Sequence, residues 1–358
     1  MSLSIDLKIP RPVGCAQRTT RSLVLIAVLL SLGCGETDSA SPPVMSDGGQ
    51  DVLPDGGEQA DAAFVDAAGF DAMAIDGSSP DGSVADASAP DAMAMLGLLS
   101  SSHRLFFVGN SYTGGLIGRY RSLAMSGAMV RDPFRVDGVS PGGRRLDQHF
   151  EDARRDGNPL QVALTEGSMS MPEWDVFVLQ DQSQVPGFPA GNAQYIASRD
   201  GAVGLAELVD SAGATVLLYM TWGRRDGDSR NPSLYPDFLT MQERLETGYR
   251  AYAQAIRDAG YGVSIAPVGP AFRLVYDNLV AVGEDPTEAG SSFYRLYAGD
   301  GSHPSLEGTY LTASVILGAV LGAPVSSYAW MPGGMSEERG RELRRFADMA
   351  NQAEWARD

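Results

Sequence analysis

Cysteine and histidine are both scarce in this 358-residue chain, which carries two of the first (Cys15, Cys34) and three of the second (His103, His149, His303). Both cysteines fall within the first 34 residues, so the rest of the chain has no thiol nucleophile, no disulfide and no cysteine-ligated metal site. No phosphate-binding loop, dinucleotide fingerprint or histidine-rich metal motif is present, and neither a metal nor a cofactor is expected. A basic stripe interleaved with aromatics is also missing, which argues against nucleic-acid binding. The formal net charge is −18, but it is unevenly spread: +3 over residues 1–35, −13 over 36–97 and −8 over the remainder.

That unevenness divides the chain. Residues 1–33 place Lys8, Arg11, Arg18 and Arg21 before an apolar run from Ser22 to Gly33, the pattern of a secretory signal peptide whose apolar stretch is too short to span a bilayer. Leu30-Ser31-Leu32-Gly33-Cys34 resembles a bacterial lipobox, with Ser31 where an apolar residue is usual, and implies a lipidated Cys34. The expectation is an exported lipoprotein held at the outer membrane or cell surface, with plain secretion as the alternative. From 36 to 97 there are thirteen acidic residues, no Lys or Arg, and few aromatics. Asp61, Asp66, Asp71, Asp76, Asp81, Asp86 and Asp91 recur every five residues, a period of neither helix nor strand. Such a segment cannot bury enough apolar surface to offset its ordering entropy, so residues 34–97 read as a disordered linker. A calcium-binding repeat is the competing reading, but the glycine-rich frame or terminal Glu it needs is missing.

Residues 98–358 are long enough for one domain with an ample core. Apolar runs suited to buried strands lie at 104–109, 133–139, 174–180, 214–221 and 261–267. Stretches with helical spacing alternate with them, at 113–128, 145–155, 193–211, 236–259, 271–282, 304–322 and 336–355. Strands alternating with helices predict a parallel sheet of about five strands covered on both faces, a three-layer α/β/α sandwich. Sites in such sheets form beyond the carboxyl ends of the strands.

Two motifs fall there. In Leu105-Phe106-Phe107-Val108-Gly109-Asn110-Ser111 a strand delivers a hydroxyl to the start of a helix, whose backbone N–H groups suit an oxyanion. An ordinary βα turn has the same composition. In Asp300-Gly301-Ser302-His303-Pro304 the Asp-x-x-His spacing lets a carboxylate reach one ring nitrogen and fix the tautomer. An Asp-Gly turn with a solvent-facing histidine would look alike. His103 lies at the wrong end of its strand for such a site, and His149 reads as a surface or packing histidine.

Together these blocks resemble the SGNH or GDSL-like hydrolases. Gly109-Asn110-Ser111 resembles the nucleophile block, Gly142-Gly143 the second-block glycine, and Asp300-x-x-His303-Pro304 the final block. The resemblance runs over roughly residues 103–330 and implies a flavodoxin-like parallel sheet. It assigns Ser111 as nucleophile, His303 as general base and then acid, and Asp300 as the residue that orients His303. The implied oxyanion donors are the Ser111 N–H, a glycine N–H at Gly142 or Gly143, and a third-block side chain. The third block departs from the family: Leu179-Gln180-Asp181-Gln182-Ser183 stands where Gly-x-Asn-Asp is usual. Position favours Gln182, a related carbohydrate-esterase pattern favours Gln180, and either amide can donate.

The implied activity is a monomeric serine esterase acting on short acyl groups of a carbohydrate or other polar ester. A catalytically weak glycan-binding protein and an acyltransferase using the same residues are the alternatives. Trp222-Gly223-Arg224-Arg225-Asp226-Gly227-Asp228 also follows a strand, and could stack on sugars or grip an anion, or form a solvated loop with internal ion pairs. Met169, Met171 and Trp174 read as core or as the mouth of the site.

Overall fold

The computed structural model describes residues 103–130, 132–168 and 171–357. The signal segment, Cys34, the linker and Met169 lie outside the described residues. Among the described residues seven strands form: β1 (His103–Val108), β2 (Phe134–Val139), β3 (Gly167–Ser168), β4 (Met171–Pro172), β5 (Val176–Leu179), β6 (Thr215–Tyr219) and β7 (Val263–Ala266). Five of them make one parallel sheet in the order β2-β1-β5-β6-β7, while β3 and β4 pair as a small antiparallel ribbon.

The helices are α1 (Ser111–Gly114), α2 (Leu116–Met125), α3 (Leu146–Ala153), α4 (Pro159–Thr165), α5 (Ala193–Ser211), α6 (Phe238–Asp258), α7 (Val268–Ala281), α8 (Leu306–Leu321) and α9 (Glu337–Trp355). Strand residues alternate between two cores, as a period of two requires. Leu105 and Phe107 of β1, Val176 and Val178 of β5, and Leu217 and Tyr219 of β6 face α1, α2, α7, α8 and α9. Phe106 and Val108, Phe177 and Leu179, and Val216 and Leu218 face α3, α4, α5 and α6. Both faces of the sheet are covered, so its strands read as continuous apolar runs.

The expected strands and helices form with shifted ends. The helix expected at 113–128 starts two residues earlier, at Ser111, and is broken at Gly115 between α1 and α2. Asn110 explains the early start, because its Oδ1 accepts the Tyr112 N–H at 3.2 Å as an N-cap. Two elements were not anticipated: α4, and the β3–β4 ribbon. Helix α4 opens on Asn158-Pro159, where the Asn158 side chain caps Leu160 N–H at 2.9 Å and Pro159 needs no donor. Trp174 is core, 2% exposed, with its ring edge against Phe106.

The strand order reverses at β1: the chain leaves it for β2 on one side and returns to β5 on the other. The carboxyl ends of β1 and β5 therefore diverge into loops on opposite faces, the crevice where open α/β sheets build sites.

Candidate active site

Gly109 ends β1 and lets the chain turn. A Cβ there would sit 2.3 Å from Thr113 Oγ1 and 2.7 Å from Gln180 Oε1, so no side chain fits. Asn110 follows, 2% exposed, with its Nδ2 donating to the carbonyls of Arg144 at 3.0 Å and Asp181 at 3.2 Å. The nucleophile turn is thus tied to the loops after β2 and β5. Ser111 comes next, exposed, at the first position of α1, where a backbone N–H has no intrahelical acceptor.

The 298–304 turn meets it from 192 residues away in sequence. Ala298 N–H donates to the His303 carbonyl at 2.8 Å, and Gly301 adopts φ +66°, which closes the turn. Asp300 Oδ1 accepts the N–H groups of Ser302 and His303, both at 2.9 Å, and Oδ2 lies 2.5 Å from His303 Nδ1. Since a carboxylate only accepts, His303 carries its proton on Nδ1, and Nε2 offers its lone pair to Ser111 Oγ at 2.9 Å. Desolvation pushes the Asp300 carboxyl upward, but the hydrogen bond from His303 and the two backbone donors outweigh it, so the net shift is downward and the group stays ionised. The His303 and Asp300 side chains are 45% and 49% exposed, which leaves the relay open to solvent.

A supporting layer lies beneath. Tyr112 OH pairs with Ser302 Oγ at 2.7 Å, and its ring meets His303 edge-on at 5.3 Å between centroids. Trp222 is sandwiched between Tyr112 at 4.7 Å and Phe272 at 4.5 Å, and its Nε1–H donates to the Ser302 carbonyl at 3.1 Å. Being wholly buried, Trp222 cannot stack on a sugar; it holds the histidine turn from below. The loop after it forms internal ion pairs, with Asp226 exposed and Arg225 and Asp228 buried. Arg224 pairs with the buried Asp228 at 2.6 Å and reaches Ser183 Oγ at 3.1 Å, while Arg225 pairs with Asp226 and lies 4.0 Å over the Tyr294 ring. Sequence reasoning left Tyr112 and Ser302 out, and considered Trp222 only as a platform for sugars. The available signal was their adjacency to Ser111, to His303 and to the end of β6.

The oxyanion candidates separate. Gly142 and Gly143 are exposed, a Cβ at either would meet nothing within 4 Å, and Gly143 has φ +66°. Neither N–H donates to another described residue. Gln180 departs from expectation: it is 0% exposed, and its Nε2 donates to Asn110 Oδ1 at 3.0 Å and to the Asp181 carbonyl. Its Oε1 accepts from Asn110 N–H and Thr113 Oγ1, both at 3.0 Å. Gln180 is a clasp between β1 and β5, with no hydrogen left for a ligand. Gln182 is half-buried, its Oε1 fixed by Gln184 N–H at 2.8 Å, while no acceptor among the described residues takes its Nε2 hydrogens.

The other histidines are packing groups. His103 Nε2 lies 2.8 Å from Tyr120 OH, and His149 Nε2–H donates to the Gly109 carbonyl at 2.9 Å; each is 1% exposed. Among the described residues no group of three or more His, Cys, Asp and Glu could hold a metal ion, and no helix is long and apolar enough to cross a membrane.

No family model and no curated protein sequence matches the chain. Solved structures do. A DUF4886 family protein from Bacteroides uniformis aligns at 16% identity over 70% of this chain and 95% of its own, with a TM-score of 0.52. An SGNH hydrolase assignment accompanies a Slackia heliotrinireducens protein that aligns at 27% identity over 61% and 99%, with a TM-score of 0.45. A GDSL-like lipase from Bacteroides thetaiotaomicron aligns at 18% identity over 61% and 87%, with a TM-score of 0.36. What is shared with the Bacteroides uniformis protein is the fold, a five-stranded parallel α/β sandwich.

Proposed function

We propose that this chain, with its SGNH/GDSL-like fold, is a divergent hydrolase of that family and cleaves short-chain esters of a polar substrate through Ser111, His303 and Asp300. One observation carries the reading: Ser111 Oγ, His303 Nε2, His303 Nδ1 and Asp300 Oδ2 lie in a continuous hydrogen-bonded line at the crevice between β1 and β5. In the first step Ser111 Oγ bonds to the ester carbonyl carbon while its proton passes to His303 Nε2. Asp300 stabilises the imidazolium that results. The carbonyl oxygen becomes an oxyanion, for which the donors are the Ser111 N–H, a glycine N–H at 142 or 143, and Gln182 Nε2. Collapse expels the alcohol, which takes the proton from His303, and leaves an acyl-serine. Water then adds by the reverse sequence and releases the acid.

The solvent-open relay gives water access to the acyl-serine, as hydrolysis needs. An intact relay also weighs against a purely glycan-binding role. The purified protein is expected to hydrolyse 4-nitrophenyl acetate, with Ser111→Ala lowering kcat by at least about ten-thousand-fold. Undiminished turnover in that variant would remove Ser111 from the mechanism.

A further inference from the structure

One third-block residue takes no part in that mechanism. Asp181 is 0% exposed, and its carboxylate meets four donors. Oδ1 accepts the N–H of Leu146 at 3.0 Å and of Gln182 at 2.8 Å; Oδ2 accepts Ser198 Oγ at 2.7 Å and Tyr252 OH at 3.2 Å. Its backbone carbonyl accepts from Asn110 Nδ2 at 3.2 Å and from Gln180 Nε2, and its N–H donates to Tyr249 OH at 3.3 Å.

These contacts are not scattered. Leu146 begins α3 directly after the loop that carries Gly142 and Gly143, Gln182 is the candidate side-chain donor, and Asn110 caps the helix of Ser111. Ser198 on α5 and Tyr252 on α6 hold the carboxylate from behind. Every loop that supplies an oxyanion donor therefore converges on one buried residue. We propose that Asp181 is a positioning residue that sets the spacing of the three oxyanion donors, an inference that rests on the hydrolase reading above. Donors stabilise a developing charge only if they are fixed before it forms. A buried acceptor with four bonds fixes two backbone segments at once. Burial pushes the Asp181 carboxyl up to about 6 even with these donors, so the carboxylate is held at an electrostatic cost that a purely space-filling residue would avoid.

Asp181→Ala removes the acceptor. Asp181→Asn keeps one oxygen for the two backbone N–H groups and turns its NH₂ toward two hydroxyls, which can accept. With 4-nitrophenyl acetate, kcat is expected to fall at least thirtyfold in the Ala variant with KM within threefold, and to return to within fivefold of wild type in the Asn variant. A folded Ala variant with kcat within threefold of wild type, or an Asn variant as slow as Ala, overturns the assignment. If the Ala variant does not fold, Ser198→Ala/Tyr252→Phe frees the rear of the carboxylate, and kcat should drop at least fivefold; no change there is equally fatal. Amide hydrogen exchange separates this from failure of the hydrolase reading. Gln182 N–H should be protected in wild type and Asn and released in Ala, whether or not the wild type hydrolyses the ester; Leu146 N–H, which also reaches Ser198 Oγ at 3.2 Å, is not the reporter. Inactive wild type with that exchange pattern would mean the hydrolase reading is wrong and the clamp is real; Gln182 N–H unprotected in wild type would overturn the clamp whatever the activity.

Discussion

At the scale of single residues the decisive contrast is between two glutamines two positions apart. They are alike in chemistry, yet Gln180 extends β5 into the buried space between Gly109 and Asn110, whereas Gln182 lies one residue past Asp181 with its amide NH₂ unclaimed among the described residues. Gln182→Ala is expected to lower kcat about a hundredfold with little change in KM, the usual scale for loss of one oxyanion donor. Gln180→Ala should instead lower the melting temperature, because it orphans Asn110 N–H and the Thr113 hydroxyl in the core. Thermal melts set beside kcat measurements check both, and the reverse pattern would exchange the two roles. Sequence could place an amide in this block but could not choose between them, since the choice depends on how the chain turns at Asp181 after β5, burying one amide and leaving the other half-buried.

At the scale of elements, most of the fold was legible because its strands are short apolar runs and its helices are long. Helix α5 runs from Ala193 to Ser211, as its spacing predicts. Elements that escaped were short: α4 has seven residues, and the β3–β4 ribbon has two residues per strand, too few for a period to show. The two histidines that open β1 and pack in α3 matter here for stability. Desolvation lowers each pKa from 6.5 to about 4, although Asp175 for His103 and the Gly109 carbonyl for His149 pull the other way. Both are therefore neutral in the fold and charged in the unfolded chain between these values. Their contribution is complete above pH 6.5 and is lost as pH falls toward 4, about 3 kcal/mol for each. Asp181, raised to about 6, opposes this in part, since its folded form holds a proton that the unfolded form releases. Urea denaturation should show lower stability at pH 5 than at pH 7, and His103→Gln/His149→Gln should cut that difference by more than half. A difference unaltered by the double change would mean other groups control the acid limb.

At the scale of the whole molecule, the folded domain is proposed to act from a surface, tethered by lipidated Cys34 through the acidic 34–97 linker. Expressed in a bacterial host, the full chain should sediment with membranes, and Cys34→Ser should release it to the soluble fraction. Membrane association that survives the substitution would rule out lipidation at Cys34 as the tether.

Composition and pattern alone determined that thiol chemistry is excluded beyond residue 34, that strands alternate with helices, and that a serine, an Asp-x-x-His pair and two glycines stand at strand ends. Those conclusions depend on residue type and local period, which a linear chain displays. Tertiary structure alone decided that Ser111 and His303 meet at 2.9 Å, that Trp222 is a buried prop, that Gln180 is a clasp, and that Asp181 joins three loops. Each of these rests on contacts between segments tens to nearly two hundred residues apart. They are created when the sheet reverses its order at β1 and brings those loops into one crevice.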